Sequence, residues 1–221
     1  VMLQRVIRGV AKKHGLIATF MAKPFGDIAG NGMHVHCSLV DKDGNNMFDD
    51  GSAAGTPLLR QAIAGCLDMM ADSMLLFAPN LNSYRRFRRG THAPMAPTWG
   101  YENRTVAVRV PADSPAATRL EHRVAGADAN PYLVMAGILA GMLHGIESKL
   151  EAPAPLEGNA YEQVPANLPR YWPDALQCFE QSEYVANYLG AEFQKVFTIL
   201  KQQEIDTFDG QVTPLEYDAC L

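Results

Sequence analysis

Residues 32–39 read Gly-Met-His-Val-His-Cys-Ser-Leu, and the polar and apolar positions alternate without a break. Successive side chains of a strand leave on opposite faces, so His34, His36 and Ser38 point one way while Met33, Val35 and Cys37 point the other. The segment therefore predicts a strand with an apolar back and a chemically equipped front. A half-buried strand ordinarily turns Lys, Thr or Glu to water. Two imidazoles and a hydroxyl in line read either as an incidental outer face or as a site, since imidazole binds metals and all three groups hydrogen-bond phosphate oxygens.

The rest of the chain gives that strand a mixed α/β setting. An amphipathic helix is predicted over 2–14, ending at Gly15, followed by a short strand over 17–20. Pro24, Gly26, Gly30 and Gly32 let the backbone bend before the His-bearing strand. Thr56-Pro57 opens a helix predicted over 57–78, with Thr as cap and Pro in the first turn. Strands over 105–110 and 119–124, a helix over 131–147, an irregular connection over 152–169 and helical structure over 173–221 complete the reading. The chain starts inside a helical pattern with no initiator Met, and is expected to be a piece of a longer protein.

Composition narrows the partners. The 221 residues carry a formal net charge of -5, which argues against a dedicated nucleic-acid binder. No apolar run reaches membrane-spanning length, no signal peptide is evident, and the four cysteines form no CxxC pair; a soluble cytoplasmic protein with reduced thiols is expected.

Against that acidic background, Arg85, Arg86, Arg88, Arg89, Arg104, Arg109, Arg119 and Arg123 fall within one stretch that contains no Lys. The guanidinium fork grips carboxylates and phosphates at two points, so the cluster reads as an anion site, with a subunit interface as the alternative. On the strand Arg119-Leu120-Glu121-His122-Arg123, alternation sets the Glu121 carboxylate between two guanidinium groups. One His-bearing and one Glu-bearing strand together offer ligands to a hard divalent ion beside phosphate oxygens.

Four blocks in order carry a family resemblance: Lys23-Pro24 with the glycine-rich run into Gly32–Ser38; Asn82-Ser83-Tyr84-Arg85-Arg86; Asn103-Arg104 through Arg109-Val110-Pro111; and Arg119–Arg123 leading to Ala129-Asn130-Pro131-Tyr132. The chain resembles the C-terminal part of the catalytic domain of glutamine synthetase family enzymes. The resemblance implies an α+β fold, an antiparallel sheet flanked by helices with a helical C-terminal tail. Residues 1–170 would form a partial catalytic core and 171–221 its helical end, with the N-terminal domain and first catalytic strands absent. It implies metal ligation (Mg2+ or Mn2+) by His34 and Glu121, and nucleotide contacts from His36, Ser38, Arg104 and Arg109. Arg86, Arg123 and Gly30 would serve glutamate, with Arg86, Arg104, Arg123 and His92 as the catalytic set. In the family, ATP phosphorylates the glutamate side chain and an amine displaces phosphate, within a homo-oligomeric ring.

Two departures matter. His92, in Gly90-Thr91-His92-Ala93-Pro94, stands where true glutamine synthetases carry a Glu that handles ammonium, and Ala29 stands where they carry an Asn. These look more like the γ-glutamylpolyamine synthetase branch, so the expected acceptor is an organic amine such as putrescine. Ammonia, or a catalytically silent nucleotide-binding subunit, are the alternatives. The piece alone is expected to be inactive. Tyr161 is expected to be ordinary surface, and His122 and His144 to be satisfied or solvated histidines.

Overall fold

In the computed structural model, residues 1–111 and 114–221 are described. Capping signals set the two central helices. Thr56 accepts a hydrogen bond from the Leu59 N–H at the start of α2 (Pro57–Asp68), and Asn130 accepts one from the Tyr132 N–H at the start of α4 (Pro131–Glu147), each with Pro in the first turn. The two helices cross backbone to backbone. A β-carbon added at Gly65 would lie 2.0 Å from the Gly141 carbonyl oxygen, and one at Gly145 would lie 2.0 Å from that of Gln61. Glycine at these positions is a packing requirement, and any side chain would force the helices apart.

The sheet has four strands in the order β1 (Val35–Cys37), β4 (Leu120–His122), β3 (Val108–Val110), β2 (Trp99–Tyr101). β1 and β3 each pair antiparallel with β4, setting His36 and Arg109 opposite Glu121 from its two sides. β2 runs parallel to β3, so the expected antiparallel sheet is a mixed one. Glu102, at φ 48°, starts the tight return from β2, and its N–H reaches the Val110 carbonyl at 3.0 Å. The back of β1 behaves as its alternation requires: Met33, Val35, Cys37 and Leu39 pack on the core while His34, His36 and Ser38 are exposed.

Three expectations need correction. The helix predicted over 57–78 is broken into α2 and α3 (Met74–Phe77) by a turn over 69–73, in which Asp72 accepts a 2.6 Å hydrogen bond from the Ser182 hydroxyl. Residues 17–20 form no strand; Ile17 is 98% exposed, and β-branched composition makes no strand without a neighbour to pair with. The connection over 152–169 contains a short helix, α5 (Ala160–Gln163), capped by Asn159.

The C-terminal helices α6 (Trp172–Gln181), α7 (Glu183–Val185), α8 (Ala191–Asp209) and α9 (Pro214–Cys220) include one π turn at Ala186–Gly190. Phe179 of α6 packs on Phe193 and Phe197 of α8, and Trp172, Leu176 and Phe179 join the same buried cluster as the sheet. In contrast, α1 (Met2–Lys13) buries none of its residues. No helix among the described residues is long and apolar enough to cross a membrane.

Candidate active site

The register of the sheet builds the centre of the site. Glu121, 3% exposed, receives Arg123 on Oε1 at 2.9 Å and Arg109 on Oε2 at 2.8 Å. His34 brings Nδ1 to 3.0 Å from the same Oε1, and His36 Nε2 stands 3.8 Å from it. Burial alone would raise the Glu121 carboxyl, but the Arg123 charge and the Arg109 hydrogen bond outweigh it and hold the group below its ordinary range. Burial, followed by the Arg123 guanidinium, lowers the His34 imidazole, which is therefore neutral at pH 7 and keeps a lone pair.

The arginines around this carboxylate are held by more than one bond. Arg109 reaches Glu102 at 3.1 Å with its second amino group, a partner that the sequence reading did not identify. Arg123 donates to the Arg104 carbonyl at 3.1 Å. The Nε groups of Arg109 and Arg123 are buried and have no hydrogen-bond partner among the described residues. Arg119 donates from Nε to His36 Nδ1 at 3.0 Å, which fixes the ring that faces Glu121.

Two clefts flank the centre. One, of about 270 Å³, is lined by Lys23, Ala29, Gly30, Gly32, His34, Arg86, Thr91 and His92. It thus gathers the glycine-rich loop, the first His of the strand and the segment bearing His92, which are separated in sequence by up to 69 positions. Arg86 is 5% exposed, with Nη1 donating to the Val124 carbonyl at 3.2 Å. Glycine is required beside it: a β-carbon at Gly30 would meet the Ala22 carbonyl oxygen at 2.5 Å and Arg86 Cγ at 3.1 Å. The other cleft is lined by Tyr101, Glu102, Asn103, Arg104, Pro155, Leu156, Glu157 and Gly158. Arg104 is exposed there, and Asn103 holds the opposite wall through the Leu156 and Gly158 carbonyls at 2.9 and 2.8 Å. Ser38 is exposed on the same face of β1 as His36.

His92 sits at the tip of a turn at φ 58°. Thr91 pins the base of that turn through its hydroxyl to the Arg86 and Arg88 carbonyls at 2.6 and 2.7 Å. Tyr161 pins the far side. Expected as ordinary surface, it is half-buried, and its hydroxyl donates to the Ala93 carbonyl at 2.9 Å. No local signal could show this, because the partner lies 68 residues earlier in the chain. His122 is a core histidine, 1% exposed, its ring tilted at 52° against Phe77 with centroids 4.6 Å apart, and burial pushes its pKa down to about 3. His144 pairs with Asp68 at 3.1 Å on the far helices.

No group of three His, Cys, Asp or Glu side chains among the described residues is arranged to hold a metal ion by itself. The His34 nitrogen and Glu121 oxygen nonetheless stand side by side with donor chemistry that suits a divalent ion. A hard cation of this kind takes about six donors, so this pair fits part of a shell.

A mixed sheet that seats a carboxylate among arginines and imidazoles, between two open clefts, is the frame of a ligand-handling catalytic domain. The chain belongs to the glutamine synthetase catalytic-domain family, whose model matches residues 1–220. It is similar to gamma-glutamylputrescine synthetase PuuA of Escherichia coli, 44% identical over 219 residues, covering 99% of this chain and 46% of the relative. It is also similar to glutamate--isopropylamine ligase of a Pseudomonas species, at 36% identity over 90% of this chain and 44% of the relative. Among solved structures, a GmaS/ADP complex superposes with a TM-score of 0.89 at 34% identity, covering 99% of this chain and 52% of that one. The chain thus spans about half the length of the curated relatives it matches.

Proposed function

We propose that this chain is the C-terminal part of the catalytic unit of an ATP-dependent glutamate–amine ligase, with a polyamine such as putrescine as acceptor. The observation that carries the reading is the juxtaposition of the Glu121 cluster with the Arg86–His92 cleft, in a chain 44% identical to a gamma-glutamylputrescine synthetase. The γ-carboxylate oxygen of glutamate attacks the terminal phosphorus of ATP, giving γ-glutamyl phosphate and ADP. The amine then attacks the acyl carbon, loses a proton, and expels phosphate. Acyl phosphate formation supplies the leaving group that a carboxylate lacks.

On this reading Arg86 grips a glutamate carboxylate from beneath the cleft, and Gly30 leaves room for the substrate to approach it. Arg109 and Arg104 face the nucleotide phosphates, and His36 and Ser38 contact the nucleotide from the front of β1. Arg123 stabilises charge on the transferring phosphoryl group or on glutamate, in the manner of preorganised donors at phosphoryl-transfer sites. His92 faces the incoming amine. Its imidazole offers a ring nitrogen that can accept the proton the amine must lose. His34 and Glu121 would hold Mg2+ or Mn2+, which when bound supplies charge neutralisation beside the phosphate oxygens.

Residues 1–170 act as the partial core and 171–221 as its helical end. The N-terminal domain and first catalytic strands complete the site in a cytoplasmic homo-oligomeric ring, and the piece alone does not turn over.

The test is phosphate release from ATP by the full-length protein with glutamate and magnesium, comparing putrescine, a monoamine and ammonia. Stimulation by putrescine well above ammonia is expected. Preference for ammonia returns the protein to glutamine synthesis, and no release with any acceptor overturns the ligase reading.

A further inference from the structure

The buried guanidinium of Arg86 has a counter-charge that neither its own turn nor the Glu121 cluster supplies. Asp128, in the loop between β4 and α4, accepts two hydrogen bonds on Oδ2, from the Ser83 hydroxyl at 2.6 Å and the Asn80 side chain at 2.8 Å. Both donors belong to the start of the 3-10 turn Leu81–Arg86, whose last residue is Arg86. The Ser83 hydroxyl also accepts the Asn80 N–H at 3.1 Å, so one carboxylate oxygen organises the whole entry to the turn. The other oxygen, Oδ1, is buried and has no hydrogen-bond partner among the described residues.

Oδ1 faces the same space as Arg86. A β-carbon at Gly126 would lie 2.2 Å from Asp128 Oδ1 and 3.2 Å from Arg86 Nη1, while one at Gly32 would lie 3.3 Å from Arg86 Nη2. Gly32 and Gly126 are themselves paired across an isolated antiparallel bridge. The guanidinium is therefore sandwiched at a point where two strands run without side chains, and the carboxylate closes that space. A carboxylate with one oxygen spent on neutral donors and the other left toward a desolvated guanidinium serves to offset that charge. Burial lowers the Arg86 guanidinium from its ordinary range, and the Asp128 charge offsets part of that effect.

We propose that Asp128 is the positioning residue for Arg86. It orients the 3-10 turn through Ser83 and Asn80 and holds the guanidinium aimed into the cleft lined by Gly30 and His92. The inference rests on the reading of Arg86 as the glutamate-carboxylate clamp.

The test uses the full-length enzyme. Asp128→Asn keeps an acceptor for Ser83 but replaces the anionic oxygen near Arg86 by a neutral or donor atom. The Michaelis constant for glutamate should rise about tenfold, with that for ATP changed less than about twofold. The shift in melting temperature on adding glutamate should shrink in parallel. An unchanged glutamate constant overturns the inference, and so does an equal rise for glutamate and ATP, which marks a merely structural role. If Asp128→Asn does not fold, Ser83→Ala decides: a selective rise for glutamate supports the positioning role, and no change overturns it. A wild-type enzyme that shows neither glutamate-dependent turnover nor a glutamate-induced shift instead contradicts the ligase reading itself.

Discussion

The Glu121 cluster and the Arg86–His92 cleft handle buried charge differently. At Glu121 the strands do the positioning: register places His36 and Arg109 opposite the carboxylate, and both its oxygens are taken up by guanidinium groups. At the cleft, Arg86 ends a 3-10 turn, His92 sits at positive φ, and the walls are glycine. The first half is an interlocked ionic network that tolerates little change. The second is assembled from turns held by a few local hydrogen bonds, and on the proposed reading is where acceptor choice can vary without disturbing the sheet.

Breaking the first half should have the largest effect. Glu121→Gln leaves Arg109 and Arg123 without their shared carboxylate, and turnover of the full-length enzyme should fall on the order of 10²–10³-fold in a steady-state assay. Loss of stability should accompany it, since removing one partner of a buried pair typically costs about 3–5 kcal/mol.

The same strand carries a built-in acid sensitivity. His122 titrates near 3 in the fold, against an ordinary value of 6.5. Below pH 6.5 the unfolded chain takes up a proton that the folded chain refuses, so stability falls as pH drops from 6.5 toward 3 and is unaffected above that window. Thermal unfolding of His122→Leu across pH 4–8 should show a flatter acid limb than wild type, with the difference vanishing above pH 7.

On the cleft side the effects should be smaller and selective. Gly30→Ala places a methyl against the Ala22 carbonyl and Arg86 Cγ, so the Michaelis constant for glutamate should rise roughly tenfold with that for ATP little changed. Tyr161→Phe removes one hydrogen bond to Ala93, worth about 1 kcal/mol. It should raise the constant for the amine a few-fold and leave that for glutamate unaltered, as initial-rate measurements varying each substrate would show.

How much could be read from the chain follows the same division. The two faces of residues 33–39, the Glu121 strand and the span of α4 were legible, because alternation and caps are local signals. The glycines that let α2 and α4 touch, the parallel pairing of β2 with β3, and the Glu102 partner of Arg109 were not. Each depends on where a distant segment comes to lie. Tyr161 and Asp128 belong with these: their roles come from a carbonyl 68 residues away and a turn 45 to 48 residues away. The partner of Asp72 in the turn after α2 was hidden for a similar reason, since Ser182 lies 110 residues further on.

In the proposed reaction, carboxylate activation proceeds through an acyl phosphate at the Glu121 cluster. Glutamate labelled with ¹⁸O in its γ-carboxylate, turned over by the full-length enzyme with ATP and putrescine, tests it directly by mass analysis of the released phosphate. One labelled oxygen per phosphate is expected, carried across when the amine displaces it. Phosphate free of label, formed alongside γ-glutamylputrescine, would rule out the acyl phosphate.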